Sequence, residues 1–177
     1  MNLSQLLEKL KKDPFFMENV TAWRTVPARP AQYAPWPEDI DQRLPQALAK
    51  HGVTQLYTHQ AACLEAARKG EDYVVVTPTA SGKTLCYNIP VLSAILKNPD
   101  ARALYLFPTK ALSADQVSEL YELIELMQVD VKTFTYDGDT PAAARRAVRQ
   151  AGHVVVTNPD MLHSGILPQH TKWVKLF

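Results

Sequence analysis

The sequence has almost no excess of charge of either sign. Its 177 residues hold 19 Lys and Arg against 18 Asp and Glu, which gives a formal net charge of +1. A nucleic-acid-binding protein that relied on bulk charge would be strongly basic, with clustered Lys and Arg. The composition disfavours that class, so any contact with DNA or RNA must be local.

Cysteine is scarce as well. Cys63 and Cys86 lie far apart in the chain and in no CxxC pair, and the five histidines fall at no metal-ligand spacing. This pattern excludes a disulfide scaffold and disfavours a zinc site. We expect two reduced, mostly buried thiols.

Long hydrophobic runs are absent too. The N-terminal residues MNLSQLLEKLKKDP interleave charges with leucines and contain no signal-peptide core. No segment reaches the roughly 18 apolar residues that span a membrane. We therefore expect a cytoplasmic protein with no membrane partner, and 46% hydrophobic residues suit one ordinary globular domain.

The first part of the chain has the composition of a lead-in region. Leucines at helical spacing before Pro14 predict a short amphipathic helix that begins near Ser4. Prolines with aromatic residues between them predict an extended arm at residues 21–37, whose aromatics staple the arm to the domain rather than stack on bases. Residues 39–51 predict a helix closed by Gly52.

After Gly52, helices alternate with short apolar strands. The run Tyr-Val-Val-Val at residues 73–76 is uniformly apolar, which predicts a strand buried on both faces. The pattern predicts helices at 58–69, 83–96, 112–127 and 142–151, and strands at 73–76, 103–107, 131–136 and 153–157. Such alternation predicts an α/β fold with a parallel sheet and helices on both faces, and ligands bind such sheets beyond the carboxyl ends of the strands.

The segment TPTASGKT follows the first predicted strand and opens a helix, as a phosphate-binding loop requires. We expect Lys83 to reach the β- and γ-phosphates of a nucleotide and the Thr84 hydroxyl to bind Mg²⁺, which makes these two the candidate catalytic residues. Thr77 departs from the general pattern, because it stands where that pattern has its first glycine. The expected phosphate-binding residues are Thr79, Ala80, Ser81, Gly82, Lys83 and Thr84.

Four segments in order, LYTHQ, TPTASGKT, FPTKAL and TNPDMLH, resemble the Q motif and motifs I, Ia and Ib of the superfamily-two DNA and RNA helicases. Their wording is most similar to the DExH-box repair helicases of the bacterial mitomycin-repair type. The resemblance implies a truncated RecA-like P-loop NTPase domain at residues 53–177, preceded by the helical and Pro-rich region 1–52. It also implies ATP-driven 3′–5′ movement on single-stranded DNA.

The resemblance further implies roles for single residues. Gln60 would contact the adenine edge of ATP, and Tyr57 would pack on the base, with packing into the domain core as the alternative. The residues implied in contacts with the DNA backbone are Pro108, Thr109, Lys110, Thr157 and Asn158. Ordinary helix capping is the alternative role for the Thr and Asn residues.

The loop DGDT and the helix after it are explained by ordinary turn and helix chemistry. Asp137 to Thr140 have the composition of a tight turn before a capped helix. Arg145, Arg146 and Arg149 fall on one face of that helix, and we expect them to form a solvated face.

The carboxylate motif of motor helicases is missing. It would supply an Asp for Mg²⁺ and a Glu for the attacking water, yet no Asp is followed by Glu anywhere in the chain. We therefore expect an N-terminal fragment of a longer helicase that binds ATP and Mg²⁺ but hydrolyses ATP negligibly. Its expected partners are single-stranded DNA, a repair nuclease or other repair protein, and the remainder of the helicase. The alternatives are a P-loop nucleotide-binding module and a small P-loop kinase, although a kinase gives no reason for TNPDMLH.

Overall fold

The computed structural model describes residues 1–28 and 30–177, so Arg29 of the predicted arm lies outside the described residues. The chain forms two compact units, Met1–Ala31 and Gln32–Phe177. The helices and strands are, in chain order, α1 (Leu3–Lys12), α2 (Pro14–Met17), β1 (Tyr33–Ala34), α3 (Arg43–Lys50), β2 (Leu56–Tyr57), α4 (Thr58–Arg68), α5 (Lys83–Lys97), β3 (Ala103–Leu106), α6 (Lys110–Met127), β4 (Thr133–Thr135), α7 (Ala142–Ala151), β5 (Val154–Thr157) and α8 (Pro159–Met161). A π-helical turn (Leu162–Ile166) and a 3₁₀ segment (Leu167–Lys172) follow. None of the helices among these residues is both long and apolar enough to cross a membrane.

The first unit contains the two short helices α1 and α2. Asn2 caps α1, because its side chain accepts from Gln5 N at 2.9 Å while the Gln5 side chain accepts from Asn2 N at 3.0 Å. Asp13 caps α2 by accepting from two backbone N–H groups, with Pro14 at the first helical position. The predicted amphipathic helix is confirmed, and Asn2 rather than Ser4 starts it.

The second unit is built on three parallel strands in the order β3-β5-β4. Val154 and Val156 of the central strand face one hydrophobic core, which is completed by side chains of α3, α4, α5 and α6. Val155 faces a second core with Val148 of α7 and Trp173. All three valines are buried, and their alternation explains why the strand is apolar throughout. The predicted α/β fold with helices on both faces of a parallel sheet is confirmed.

Residues 73–76 are not a strand in this structure. Val74 and Val76 are each 89% exposed, and no strand of the described residues pairs with this segment. A strand is held by hydrogen bonds to a neighbouring strand, and the three-stranded sheet does not extend to these residues. The prediction of a strand buried on both faces is wrong here, because β-forming side chains without a partner strand do not form a ladder.

The end of the arm belongs to the second unit. β1 pairs antiparallel with β2, which places Tyr33 opposite Tyr57. The Trp36 indole donates to Thr54 O at 3.1 Å, and its ring packs against the larger core. The predicted stapling is confirmed for Tyr33 and Trp36, and residues 32–52 lie in the same compact unit as the sheet.

Helix α3 begins later than predicted. It starts at Arg43 rather than at residue 39, because Pro45 is tolerated only in the first turn of a helix. Gly52 follows this helix with φ +80°, the left-handed conformation expected of it.

Both cysteines are buried and unpaired, as predicted. Cys63 lies in α4 and Cys86 in α5. Burial raises the pKa of the Cys86 thiol to about 12, so this thiol stays protonated and unreactive at neutral pH.

Candidate nucleotide and nucleic-acid sites

The predicted phosphate loop turns sharply twice before α5. Ala80 and Gly82 have φ values of 58° and 70°, and Gly82 is the N-cap of the helix. The hydroxyl oxygens of Thr77 and Ser81 lie 2.6 Å apart across the loop. Left-handed backbone costs a non-glycine residue about 1–2 kcal/mol, so Ala80 holds a strained conformation of the kind found at ligand-binding turns.

Lys83 folds back onto its own loop. Its Nζ donates to Thr77 O at 2.9 Å and to Pro78 O at 2.7 Å, and Ser81 Oγ lies 3.5 Å away. An ammonium group has three N–H donors and no acceptor. Loop oxygens therefore hold the donors that a phosphate would use, and a bound phosphate must replace them.

Helix α4 is joined to this loop by two side chains. Gln60 is 2% exposed; its Oε1 accepts from Tyr57 N at 2.9 Å, and its Nε2 donates to Gly82 O at 2.9 Å. His59 Nε2 donates to Ser81 O at 3.0 Å. A Cβ on Gly82 would lie 2.6 Å from Gln60 Nε2, so this close approach requires glycine. The residue predicted to contact the base thus touches the loop predicted to hold the phosphates.

A cavity of about 390 Å³ opens beside these contacts, and its walls include Tyr33, Tyr57, Gln60 and Gly82. The Tyr33 ring stacks on Tyr57 with centroids 5.3 Å apart, and Tyr57 stacks on His59 at 5.6 Å. Tyr33 is 54% exposed, so much of the stack remains accessible. Sequence motifs missed Tyr33, whose only signal is its place as an aromatic residue in the Pro-rich arm.

A hydrogen-bond network lies on the other side of α5. Thr84 donates its hydroxyl proton to Gln116 Oε1 at 3.1 Å, and the Tyr87 hydroxyl donates to the same oxygen. Gln116 belongs to α6, so one side chain connects the helix after the phosphate loop with the helix after the next strand. The sequence assigned no role to Gln116.

The end of β3 presents the residues of the FPTKAL segment. Pro108, Thr109 and Lys110 are exposed. Thr109 caps α6 by accepting from Leu112 N at 3.2 Å, which leaves its hydroxyl proton available to an acceptor.

Lys110 is paired with the DGDT loop. Its ammonium contacts the Asp139 carboxylate and lies 3.9 Å from that of Asp137. The hydrogen bond to Asp139 raises the pKa of Lys110, and the same bond lowers the pKa of the Asp139 carboxyl below its usual range. Both groups are therefore charged at neutral pH, and Lys110 faces an anion already.

The end of β5 lies beside the end of β3. Asn158 caps α8, with Oδ1 accepting from Met161 N at 2.8 Å. Thr157 is 3% exposed, and its hydroxyl donates to Tyr136 O at 2.5 Å. Thr109, Lys110, Thr157 and Asn158 border one shallow depression at the strand ends. The structure thus brings these predicted residues together; Thr109 and Asn158 act as caps, and the burial of Thr157 indicates a structural part for its side chain.

Arg145 is not part of a solvated face, contrary to expectation. Its guanidinium donates to Thr140 O at 2.9 Å and to Asp137 O at 3.2 Å, and it lies 5.2 Å from the ring centroid of Tyr136. The reason is local, since these carbonyls of the DGDT turn accept from the first turn of α7. Arg145 therefore holds the loop that carries Asp139.

Comparison with known proteins identifies the family. The profile of the DEAD/DEAH box helicases matches residues 57–177. The chain belongs to this helicase family. It is 57% identical over 176 residues to the ATP-dependent helicase YprA of Bacillus subtilis, covering 99% of this chain and 23% of YprA. It is 35% identical over 175 residues to the ATP-dependent helicase HRQ1 of Saccharomyces cerevisiae, covering 97% of this chain and 16% of HRQ1.

A solved helicase structure gives the same result. The crystal structure of the DUF1998 helicase MrfA bound to DNA and AMPPNP matches with a TM-score of 0.91 and 56% identity, covering 99% of this chain and 24% of MrfA. This helicase-family chain therefore spans about a quarter or less of the length of these relatives. The resemblance drawn from the four motifs is confirmed. The matched span includes Gln60, Lys83, Thr109 and Asn158, whereas Tyr33 lies outside it.

The side chains of the predicted phosphate loop have the chemistry that a Mg²⁺–nucleotide requires. Mg²⁺ takes oxygen ligands, keeps several waters and commonly needs only one or two protein oxygens besides substrate phosphates. Thr84 offers a hydroxyl oxygen at the start of α5, and Lys83 offers a cation beside it. No cluster of three or more His, Cys, Asp or Glu side chains suited to a metal occurs in residues 1–28 and 30–177. The Thr84 hydroxyl thus fits the part of a protein oxygen ligand that phosphate oxygens and waters would supplement.

Proposed function

We propose that the chain binds ATP and DNA as the first part of an ATP-dependent DNA helicase or translocase. The observation that carries the proposal is the position of Lys83 and Thr84, which open α5 directly beside a cavity walled by Tyr57 and Gln60. Base and phosphates of one nucleotide can therefore be held together. The match to MrfA bound to DNA and AMPPNP and to the ATP-dependent helicases YprA and HRQ1 supports the same function.

In this proposal the adenine enters the cavity. The Gln60 amide uses one N–H for Gly82 and one lone pair for Tyr57, so one donor and one acceptor remain. The N6/N7 edge of adenine offers one donor and one acceptor, whereas the O6/N7 edge of guanine offers two acceptors. Gln60 is thus suited to select ATP over GTP, while the Tyr33–Tyr57 stack supports the base.

The phosphates bind at the loop. Lys83 exchanges the Thr77 and Pro78 carbonyls for phosphate oxygens, because the phosphate adds attraction between opposite charges to the hydrogen bond, whereas the carbonyls are neutral. The N–H groups at the start of α5 add a partial positive charge. Thr84 supplies the protein oxygen to Mg²⁺, which when bound neutralises phosphate charge.

The DNA backbone binds at the ends of β3 and β5. Thr109 offers its hydroxyl proton and the first N–H groups of α6, and the Asn158 amide offers its two N–H donors. Lys110 adds a cation once it leaves Asp139, with Pro108 preceding it on the exposed surface. Such contacts follow the phosphates without distinguishing bases, which suits a chain whose net charge is +1.

The proposal extends to the cellular role that the motif wording implies. It comprises 3′–5′ movement on single-stranded DNA, a part in DNA repair beside a nuclease or another repair protein, and a cytoplasmic location. By itself the 177-residue chain holds no Asp-Glu sequence to activate water. ATP turnover by this chain is therefore expected to stay at background even with single-stranded DNA, and robust turnover that depends on Lys83 would contradict this part.

Calorimetric titration with AMPPNP and Mg²⁺ tests the nucleotide site. Lys83→Ala should weaken binding well over tenfold, because the charge-assisted contact is lost. Lys97→Ala is the matched control, since Lys97 ends the same helix in an exposed pair with Asp39. Equal affinities of wild type and Lys83→Ala would refute the proposal.

A further inference from the structure

Gln116 holds the hydroxyl group that the proposed function assigns to the metal. Its Oε1 accepts the Thr84 hydroxyl proton at 3.1 Å across the interface of α5 and α6. Both side chains are partly buried there. Gln116 lies outside the loop, and among the described residues Thr84 is the one loop residue with which it shares a hydrogen bond.

The direction of this bond has a chemical consequence. A neutral hydroxyl has one proton and two lone pairs, so it can ligate a cation only if its proton points away from that cation. A carbonyl oxygen on the opposite side is the partner that fixes this orientation. Gln116 Oε1 is such a partner, because an amide oxygen accepts and cannot donate.

The carbonyl is itself held in place. The Tyr87 hydroxyl, one turn further along α5, donates to the same Oε1. The Gln116 Nε2 is directed toward Glu119 Oε2 at 3.4 Å, on its own helix. With donors to its oxygen on one side and an acceptor for its nitrogen on the other, the amide has a defined orientation with the oxygen toward Thr84.

We propose that Gln116 is a positioning residue for Mg²⁺, which keeps the Thr84 lone pairs directed toward the phosphate loop. This inference rests on the proposed function, since it assumes that Thr84 is the magnesium ligand. Groups that orient a metal ligand typically contribute tenfold to a hundredfold in metal affinity.

The test compares nucleotide affinity with excess Mg²⁺ and with EDTA. Gln116→Met keeps the side-chain length but removes the amide oxygen, and Ser118→Ala is an exposed control on the same helix. Wild type and Ser118→Ala should bind AMPPNP more tightly with Mg²⁺ than without it. In Gln116→Met the factor by which Mg²⁺ increases the AMPPNP affinity should fall by about tenfold. The AMPPNP affinity in EDTA should stay within about twofold of wild type.

A second variant separates positioning from folding. Thr84→Val removes the ligand itself, so adding Gln116→Met to it should cause no further loss of the Mg²⁺ gain. An unchanged gain in Gln116→Met overturns the inference, as does equal weakening with Mg²⁺ and with EDTA, which indicates a structural role. If Mg²⁺ raises the AMPPNP affinity of Thr84→Val as much as that of wild type, the inference about Gln116 is overturned, but the proposal that the chain binds ATP still stands. If wild type and Lys83→Ala bind AMPPNP equally, the proposed function fails and this inference fails with it.

Discussion

The proposed nucleotide site around Lys83 (the nucleotide end of the second unit) and the proposed DNA site around Thr109 (the DNA end) differ in how completely they are assembled. At the DNA end, β3 and β5 are paired along their length and the caps Thr109 and Asn158 are already formed. At the nucleotide end, residues 73–76 pair with no described strand and Lys83 donates to its own loop. In the proposed function, DNA binding needs Lys110 to leave the carboxylates of Asp137 and Asp139, whereas nucleotide binding needs the loop to reorganise.

The largest effect should come from Gly82→Ala at the nucleotide end. The new alanine must keep a positive φ, and its Cβ displaces the Gln60 amide. We therefore expect the free energy of unfolding to fall by about 2–4 kcal/mol and the nucleotide affinity to fall more than tenfold. Gly70→Ala has the positive φ without the contact and should lose only about 1–2 kcal/mol. Gly138→Ala has neither and should be nearly neutral.

Urea unfolding and AMPPNP titration measure this series. A Gly82→Ala chain as stable as Gly70→Ala would show that the contact with Gln60 does not hold the loop.

A smaller effect is expected from Tyr33→Ala, which tests whether the base cavity needs the arm. Loss of one stacking surface should weaken AMPPNP binding about tenfold, whereas Tyr33→Phe keeps the ring and should bind within about twofold of wild type. The affinity for single-stranded DNA should not change, because Tyr33 lies outside the depression at the strand ends. Fluorescence titrations with nucleotide and with labelled DNA measure both. Equal AMPPNP affinities of all three chains would remove Tyr33 from the site.

The smallest effect is expected at the DNA end. Asp139→Asn removes the nearer of the two carboxylates beside Lys110, and because exposed pairs are worth about 0.2–1 kcal/mol, single-stranded DNA should bind at most about fivefold more tightly. The gain should shrink as salt rises. Asp130→Asn, which removes a comparable exposed partner of Lys132, is the control. Fluorescence anisotropy with labelled DNA measures the change, and weaker binding by Asp139→Asn would mean that Asp139 helps the DNA contact rather than competing with it.

The sequence predicted well what depends on local chemistry. Apolar periodicity located the strand around Val154 to Val156 and the helices beside it, and turn chemistry placed Gly52 at positive φ. Motif order identified the helicase family, and Gln60 of the first motif contacts Gly82, the neighbour of Lys83, in the structure. The helices, the turns and each single motif depend on side-chain patterns within a few residues of each other.

What depends on distant partners could not be predicted. Val74 and Val76 have the composition of a buried strand, yet burial requires a neighbouring strand that local sequence does not specify. Tyr33 reaches the cavity only because β1 pairs with β2, and Gln116 meets Thr84 only because α6 packs beside α5. Arg145 is drawn from solvent by carbonyls of a turn whose orientation is a property of the fold.

The central claim is that one chain carries two separate sites, one for a nucleotide at Lys83 and one for a DNA backbone at Thr109. Measuring the affinities of Lys83→Ala and Thr109→Ala for Mg²⁺–AMPPNP and for single-stranded DNA tests it directly. We predict that Lys83→Ala loses nucleotide binding by well over tenfold and keeps its DNA affinity, while Thr109→Ala loses DNA affinity and keeps its nucleotide affinity. Loss of both activities in both folded variants, or retention of nucleotide binding by Lys83→Ala, would contradict the account.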